Sequence, residues 1–237
     1  MGGRPRQDRR GHHLSPALPY ADRVSEQAPR NRWAQQAGRA SGSDYAARFE
    51  ALAGAGHNVH GEASFCAALA PAPARVLDAG CGTGRVAIRL HDLGYQCVGV
   101  DVDTSMLAVA MAVGAASSSL DWVLADLSTL DLDQHGIPGG FDLCVAAGNV
   151  VPLLAEGTLE RTVAALTATL RPGGLLVTGF GLDSAHLPGD CPVTPLAAYD
   201  GACAVAGLRL FARHGTWQGT AFVDDGYAVS VHNRAQS

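Results

Sequence analysis

Residues 75–90 read RVLDAGCGTGRVAIRL, and the fold turns on them. An apolar run leads into Gly80, Gly82 and Gly84, and apolar residues at helical spacing follow. Such a strand–turn–helix order opens many nucleotide-binding sheets. A dinucleotide turn needs its third glycine five residues after the first, where the helix packs on the strand. Here that place holds Arg85, and the third glycine comes one residue early. Asp78 adds a carboxylate that would repel a pyrophosphate resting on the helix N-terminus. No G-K-[ST] follows, so a Walker-type loop is excluded as well. The turn suits a nucleoside without phosphates, one presenting an amino group or hydroxyls.

Working outward, strands alternate with helices. Strands are expected at 75–79, 96–101, 122–125, 141–147 and 175–180, with helices at 84–93, 105–113 and 159–170 between them. That alternation indicates crossover units and a parallel sheet covered on both faces. The sequence RPGG at 171–174 is expected to stop the helix before it. A helix at 195–206, with Pro195 at its first position and Thr194 as cap, precedes two strands at 208–217 and 227–232. The link between these two is too short for a crossover helix, so they must pair antiparallel. The fold expected is α/β: a Rossmann-like, doubly wound, mainly parallel seven-stranded sheet with an antiparallel C-terminal hairpin and helices on both faces.

The N-terminal part differs in kind. Residues 1–40 hold eight arginines against three acids, and the rest holds nine arginines against nineteen acids. Residues 1–42 are rich in Arg, Gly, Pro, Ser and Gln and read as a disordered basic extension. Residues 43–237 read as one domain, in which 43–72 form a helical cap and 73–237 the core. In the cap, Tyr45, Phe49 and Leu52 share a helical face, with Ser43 or Asp44 available to cap the N-terminus. The acidic body disfavours a nucleic-acid partner, because neutralising phosphates needs a basic face. All seventeen basic residues are arginine, which excludes Schiff-base chemistry. The six cysteines include no C-x-x-C pair, and no metal site is expected. Cys81, Cys97 and Cys144 fall in or beside central strands, where reduced thiols act as small apolar groups. With no apolar run near ~18 residues and no secretory h-region, a membrane partner is not expected and the cytoplasm is the default compartment.

Asp101 ends the second strand, twenty-one residues after Gly80, where its carboxylate can accept from both hydroxyls of a ribose. DAGCGTG at 78–84 together with VGVDVDTSML at 98–107 resembles class I S-adenosylmethionine-dependent methyltransferases. LADL at 124–127 is similar to the family's third-strand motif, FDLCVAAGNVVPLL at 141–154 to its fourth and LRPGGLLVTGF at 170–180 to its fifth. The likeness runs from about residue 45 to 232. It implies S-adenosyl-L-methionine as cofactor and S-adenosyl-L-homocysteine as product. By the same resemblance, the turn residues Gly80, Cys81, Gly82, Thr83 and Gly84 lie against the methionine and ribose parts, with Asp78 near the amino group. Asp101 would hold the ribose, Val102 and Met106 flank the adenine, and Asp126 and Leu127 meet its edge. Ala147 and Gly148 would lie by the methionine group. The cap would supply Tyr45 or Phe49 to face the sulfonium and Arg48 to pair with the carboxylate. Asp103 reads instead as a helix N-cap.

The acceptor is less determined. GN at 148–149 is similar to methyltransferases of small molecules such as glycine and sarcosine, and the chain lacks the N/D-P-P-Y/F of DNA-adenine and glutamine enzymes. A small-molecule acceptor is expected. Asn149 is a candidate for orienting acceptor or cofactor, and His186 for a general base. His60, His214, Trp217 and Tyr199 are weaker candidates, and His91 and His135 read as surface residues. Methylation of protein or RNA, non-catalytic cofactor binding, and a dehydrogenase are the alternatives, the last disfavoured by Arg85.

Overall fold

The computed structural model describes residues 32–33, 41–114, 120–224 and 226–236. Most of the expected basic extension therefore lies outside the described residues. Seven strands form one sheet: β1 (Arg75–Ala79), β2 (Gln96–Asp101), β3 (Asp121–Leu124), β4 (Phe141–Ala146), β5 (Leu170–Gly181), β6 (Leu208–His214) and β7 (Tyr227–Arg234). Their spatial order is β3-β2-β1-β4-β5-β7-β6. β1 to β5 run parallel, and β7 enters antiparallel between β5 and β6. The doubly wound sheet and its terminal hairpin agree with the sequence expectation.

Around the sheet stand α1 (Gly42–Gly54), α2 (Gly61–Leu69), α3 (Arg85–Asp92), α4 (Thr104–Gly114), α5 (Val150–Leu153), α6 (Leu159–Thr169) and α7 (Leu196–Val205). Side chains alternate across each strand, so the two faces bury separate sets. Leu77, Ala79, Val98 and Val100 pack with α6 and α7 residues such as Leu166 and Ala202. Val76, Cys97, Leu143 and Val145 pack with α2 and α3 residues such as Cys66, Val86 and Leu90. Burial pushes the Cys66, Cys81, Cys97 and Cys144 thiols upward, so they remain neutral members of this core. Among the described residues no helix is long and apolar enough to cross a membrane.

Three local expectations are corrected. α1 begins at Gly42, and its cap is Ser41, not Ser43 or Asp44. Ser41 and Asp44 exchange bonds in a capping box, the Ser41 hydroxyl accepting the Asp44 amide and the Asp44 carboxylate accepting the Ser41 amide. At α7, Pro195 stands at the cap itself in extended geometry, and no side chain caps the helix. RPGG does not separate α6 from a later strand; β5 starts at Leu170. Leu170 pairs with Phe141 and Leu175 with Leu143, so residues 171–174 bulge out of the ladder.

The chain passes from β1 to β2 and β3 on one side, then returns to place β4 on the other side of β1. Crevices of open α/β sheets form at such a switch point, beyond the carboxyl ends of the strands. β1 ends in the glycine turn, β2 in Asp101 and β4 near Ala147, so the same switch gathers all three.

Candidate functional site

A cavity of about 450 Å³ opens at this switch point, walled by the turn after β1, the ends of β2 to β4, helix α1 and the loop after β5. The turn is held rigidly. The amides of Gly80 and Cys81 both donate to the Val100 carbonyl, at 2.8 and 3.0 Å. Gly80, Gly82 and Gly84 have φ of 74°, 55° and 78°, the left-handed region that favours glycine. Their roles are not alike. A Cβ on Gly80 would come within 2.5 Å of Val150, and one on Gly84 would collide with the Trp122 ring. On Gly82 the nearest atom would be Tyr45 Cε1 at 4.0 Å. Of the residues expected to bind the cofactor, Gly84 alone is absent from the cavity wall. Its missing side chain makes room for Trp122 beneath the turn.

Asp101 is nearly buried and accepts two amides, Gly82 on Oδ2 at 2.7 Å and Asp103 on Oδ1 at 2.9 Å. Burial nonetheless outweighs these donors and raises its carboxyl above the usual range. Asp78 lies deeper, 2% exposed, and accepts the Ala87 amide in the first turn of α3 at 3.0 Å. Desolvation pushes Asp78 up to about 7. Asp126, at the end of β3, is half-buried and accepts the Ser128 amide at 2.7 Å, capping a short 3-10 turn. Three carboxylates thus stand along one wall, with Val102, Met106 and Leu127 as apolar neighbours. Val102 is 39% exposed, the exposure of an apolar residue at the mouth of a cleft. Asp103 caps α4 as expected, receiving the Ser105 and Met106 amides at 2.7 and 3.4 Å.

The cap carries an aromatic cluster. Tyr45 and Phe49 rings lie 5.0 Å apart, and Trp33 meets Tyr45 edge-on at 6.4 Å. Trp33 Nε1 donates to Asp103 Oδ2 at 2.8 Å, while Arg32 donates to the Pro152 carbonyl at 3.1 Å. Trp33 therefore belongs to the wall, although it lies in the expected basic extension. Arg85 also stands in the wall and was not among the expected site residues. Its guanidinium sits 4.4 Å over the Phe49 ring, pairs with both Glu62 oxygens at 2.6 and 2.8 Å, and donates to the Val59 carbonyl. Arg48 is exposed and also lines the cavity.

Ala147, Gly148 and Asn149 form the wall beyond β4. Asn149 has φ 67°, and its side chain bridges backbone: Oδ1 accepts the Gly181 amide at 2.7 Å and Nδ2 donates to the His186 carbonyl at 3.1 Å. It is a clamp on the loop after β5. His186 lines the cavity from that loop, with Nδ1 2.8 Å from Asp183 Oδ1. The weaker candidates lie elsewhere. Tyr199 is fully buried between Phe180 and His232, and Trp217 and His214 pack on Phe65 of α2. His60 precedes α2 and is not in the cavity wall. His135 is exposed as expected, but His91 is half-buried. Among the described residues no group of His, Cys, Asp or Glu is arranged to hold a metal ion.

Comparison with known proteins bears on this site. A family model described as a methyltransferase domain matches residues 76–174. A solved TehB-like S-adenosylmethionine-dependent methyltransferase from Corynebacterium glutamicum is 31% identical, with TM-score 0.71, over 81% of this chain and 97% of that one. The CcbJ methyltransferase from Streptomyces caelestis is 26% identical, with TM-score 0.63, over 74% of this chain and 94% of that one. Glycine N-methyltransferase of Mus musculus is 33% identical over 113 residues, 44% of this chain and 39% of that protein. The chain thus spans well under half the length of the curated relatives it matches. With the glycine turn, the acid ending β2 and the seven-strand order all in place, the chain belongs to the class I S-adenosylmethionine-dependent methyltransferases.

Proposed function

We propose that this chain binds S-adenosylmethionine in the switch-point cavity and transfers its methyl group to a small-molecule acceptor, releasing S-adenosylhomocysteine. The observation that carries the reading is the shared wall of Asp101, Asp126 and the Gly82 turn, with apolar Val102, Met106 and Leu127 beside them. Asp101 would take the ribose hydroxyls, the apolar residues the adenine faces, and Asp126 with the Leu127 amide the adenine edge. Asp78, Ala147 and Gly148 would neighbour the methionine part, Asp78 offering a carboxylate to its ammonium group. Tyr45 and Phe49 would close over the sulfonium, and Arg48 would meet the methionine carboxylate. The donor is already activated, so the protein has to align an acceptor in line and exclude water.

The small-molecule part rests on charge and on the relatives. The chain carries a net charge of −5, unfavourable for a polyanionic acceptor. The relatives named glycine and glycine/sarcosine/dimethylglycine N-methyltransferases agree with a small-molecule acceptor. Six free, buried cysteines suit the reducing cytoplasm where we place the protein. Calorimetry with S-adenosylhomocysteine and NAD tests the cofactor, and labelled methyl transfer into a metabolite extract, a tRNA pool and a protein pool tests the acceptor. Tight binding of NAD, or label found only in tRNA or protein, overturns the reading.

A further inference from the structure

We propose that His186, held by Asp183, is the general base of this methyltransferase, and that the acceptor is a small, largely apolar molecule whose nucleophile is a hydroxyl or amine that must lose a proton. The inference rests on the methyl-transfer reading above and adds the base and the acceptor class.

The loop after β5 fixes the pair. Asp183 Oδ1 lies 2.8 Å from His186 Nδ1 and also accepts the amides of Ala185 at 2.9 Å and His186 at 3.1 Å. The imidazole bond holds the Asp183 carboxyl below its ordinary range. An ionised Asp183 makes Nδ1 the protonated nitrogen and leaves the Nε2 lone pair for a ligand. From β4, Asn149 grips the same loop through Gly181 and the His186 carbonyl. From the strand β7 side, the Gly226 carbonyl accepts the Leu182 amide at 2.7 Å. A Cβ on Gly226 would stand 2.5 Å from both Asp183 Oδ2 and His186 Nδ1, so the pair rests directly on bare backbone. Three separate segments therefore hold one His–Asp pair at the rim of the cavity. Leu153, Leu154 and Leu187 line the same cavity as His186 and give it apolar wall.

The step balances without any further reagent. The acceptor oxygen or nitrogen forms the new bond to the methyl carbon, and the sulfur–methyl bond breaks with its electron pair left on sulfur. The sulfonium becomes the neutral thioether of S-adenosylhomocysteine. The acceptor's proton passes to His186 Nε2, the imidazolium is stabilised by Asp183, and the proton then leaves to solvent. His186 is the catalytic residue here; Asp183 and Asn149 are positioning residues.

The test uses the full chain with labelled S-adenosylmethionine, a series of 4-substituted phenols from 4-propylphenol to 4-nitrophenol, and 4-substituted benzylamines. The parent is expected to methylate at least one series. H186N should lose about 100-fold or more in kcat, the scale of general-base catalysis, with KM nearly unchanged. D183N should lose less, and within the phenol series both deficits should shrink toward the more acidic members, which reach the assay pH already as phenolates. A merely structural role would not produce that dependence on acidity. Equal kcat for H186N and parent overturns the assignment, as does a deficit independent of acceptor acidity. No transfer to either series by a parent that binds S-adenosylhomocysteine overturns the acceptor class. S-adenosylhomocysteine calorimetry on the same samples separates these outcomes, because its failure in the parent strikes the cofactor reading instead.

Discussion

The Gly82 amide donates to Asp101 Oδ2 at 2.7 Å, so the acid that ends β2 also fastens the turn that follows β1. One carboxylate thus couples the two walls between which the ribose is proposed to sit. Asp101→Ala removes both the ligand contact and the fastening. We expect it to weaken S-adenosylhomocysteine at least tenfold, or about 1.4 kcal/mol, by calorimetry. Parent-like affinity in this variant sinks the ribose assignment.

The three glycines of the turn are predicted to fail differently. Ala at Gly84 must adopt φ near 78° and also displace the Trp122 ring, with Ala110 Cβ at 3.1 Å leaving no room on the other side. Left-handed strain of roughly 1–2 kcal/mol adds to overpacking of roughly 1–3 kcal/mol. Gly84→Ala should therefore lose about 2–5 kcal/mol in urea denaturation and shift the Trp122 fluorescence. Gly82→Ala should lose only about 1–2 kcal/mol, from strain alone. Its Cβ enters the cavity instead, and its clearer defect should be in S-adenosylhomocysteine affinity. Equal stability losses in the two variants would contradict this division of roles.

The same turn marks how far the sequence could be read. The succession of strands and helices, the terminal hairpin and the positions of Asp78, Asp101 and Asp126 were legible because short apolar runs alternate with helical stretches. An acid at a strand end is also placed by the sheet itself. The reason for Gly84 was not legible, because Trp122 lies 38 residues away and reaches it only through the β2–β3 crossover. Trp33 was lost for a similar cause: it stands inside a segment of disordered-type composition, and its partner Asp103 is 70 residues on. Ser41 escaped because the helical face was counted from its apolar residues, and capping is local polar chemistry before them. Asp183 stood three residues before His186 in plain view, yet its pairing depends on a loop conformation that Asn149 and Gly226 impose.

Arg85 and Glu62 join the first turn of α3 to the first turn of α2, with side chains 16% and 17% exposed. Glu62→Ala would leave the guanidinium with only Phe49 and the Val59 carbonyl in a mostly desolvated place. Removing one partner of a fully buried pair costs roughly 3–5 kcal/mol, and residual solvent lowers that here to about 2 kcal/mol. Urea denaturation should show that loss for Glu62→Ala and a smaller one for Glu62→Gln, which can still accept from Arg85. An unchanged midpoint in Glu62→Ala would mean the pair contributes nothing net.

Asp78 gives a prediction whose sign depends on pH. Its carboxyl titrates near 7 in the folded chain against 3.8 for the free side chain, burial being the main cause. Between those values the folded state binds a proton that the unfolded state has released. Stability contributed by neutral Asp78 is complete below pH 3.8 and is lost as pH rises through about 7. The difference amounts to at most about 4 kcal/mol. Asp78→Asn stays neutral and can still accept the Ala87 amide. Urea denaturation should therefore find parent and variant close at pH 4 and the variant increasingly the more stable toward pH 8. The ligand reverses the preference. An ammonium group beside Asp78 favours the ionised carboxylate, so S-adenosylhomocysteine should bind the parent more tightly at pH 8 than at pH 6. Asp78→Asn should not show that gain. A stability gap that closes as pH rises would refute the buried, neutral Asp78. An equal pH response of binding in both proteins would remove Asp78 from the ammonium site.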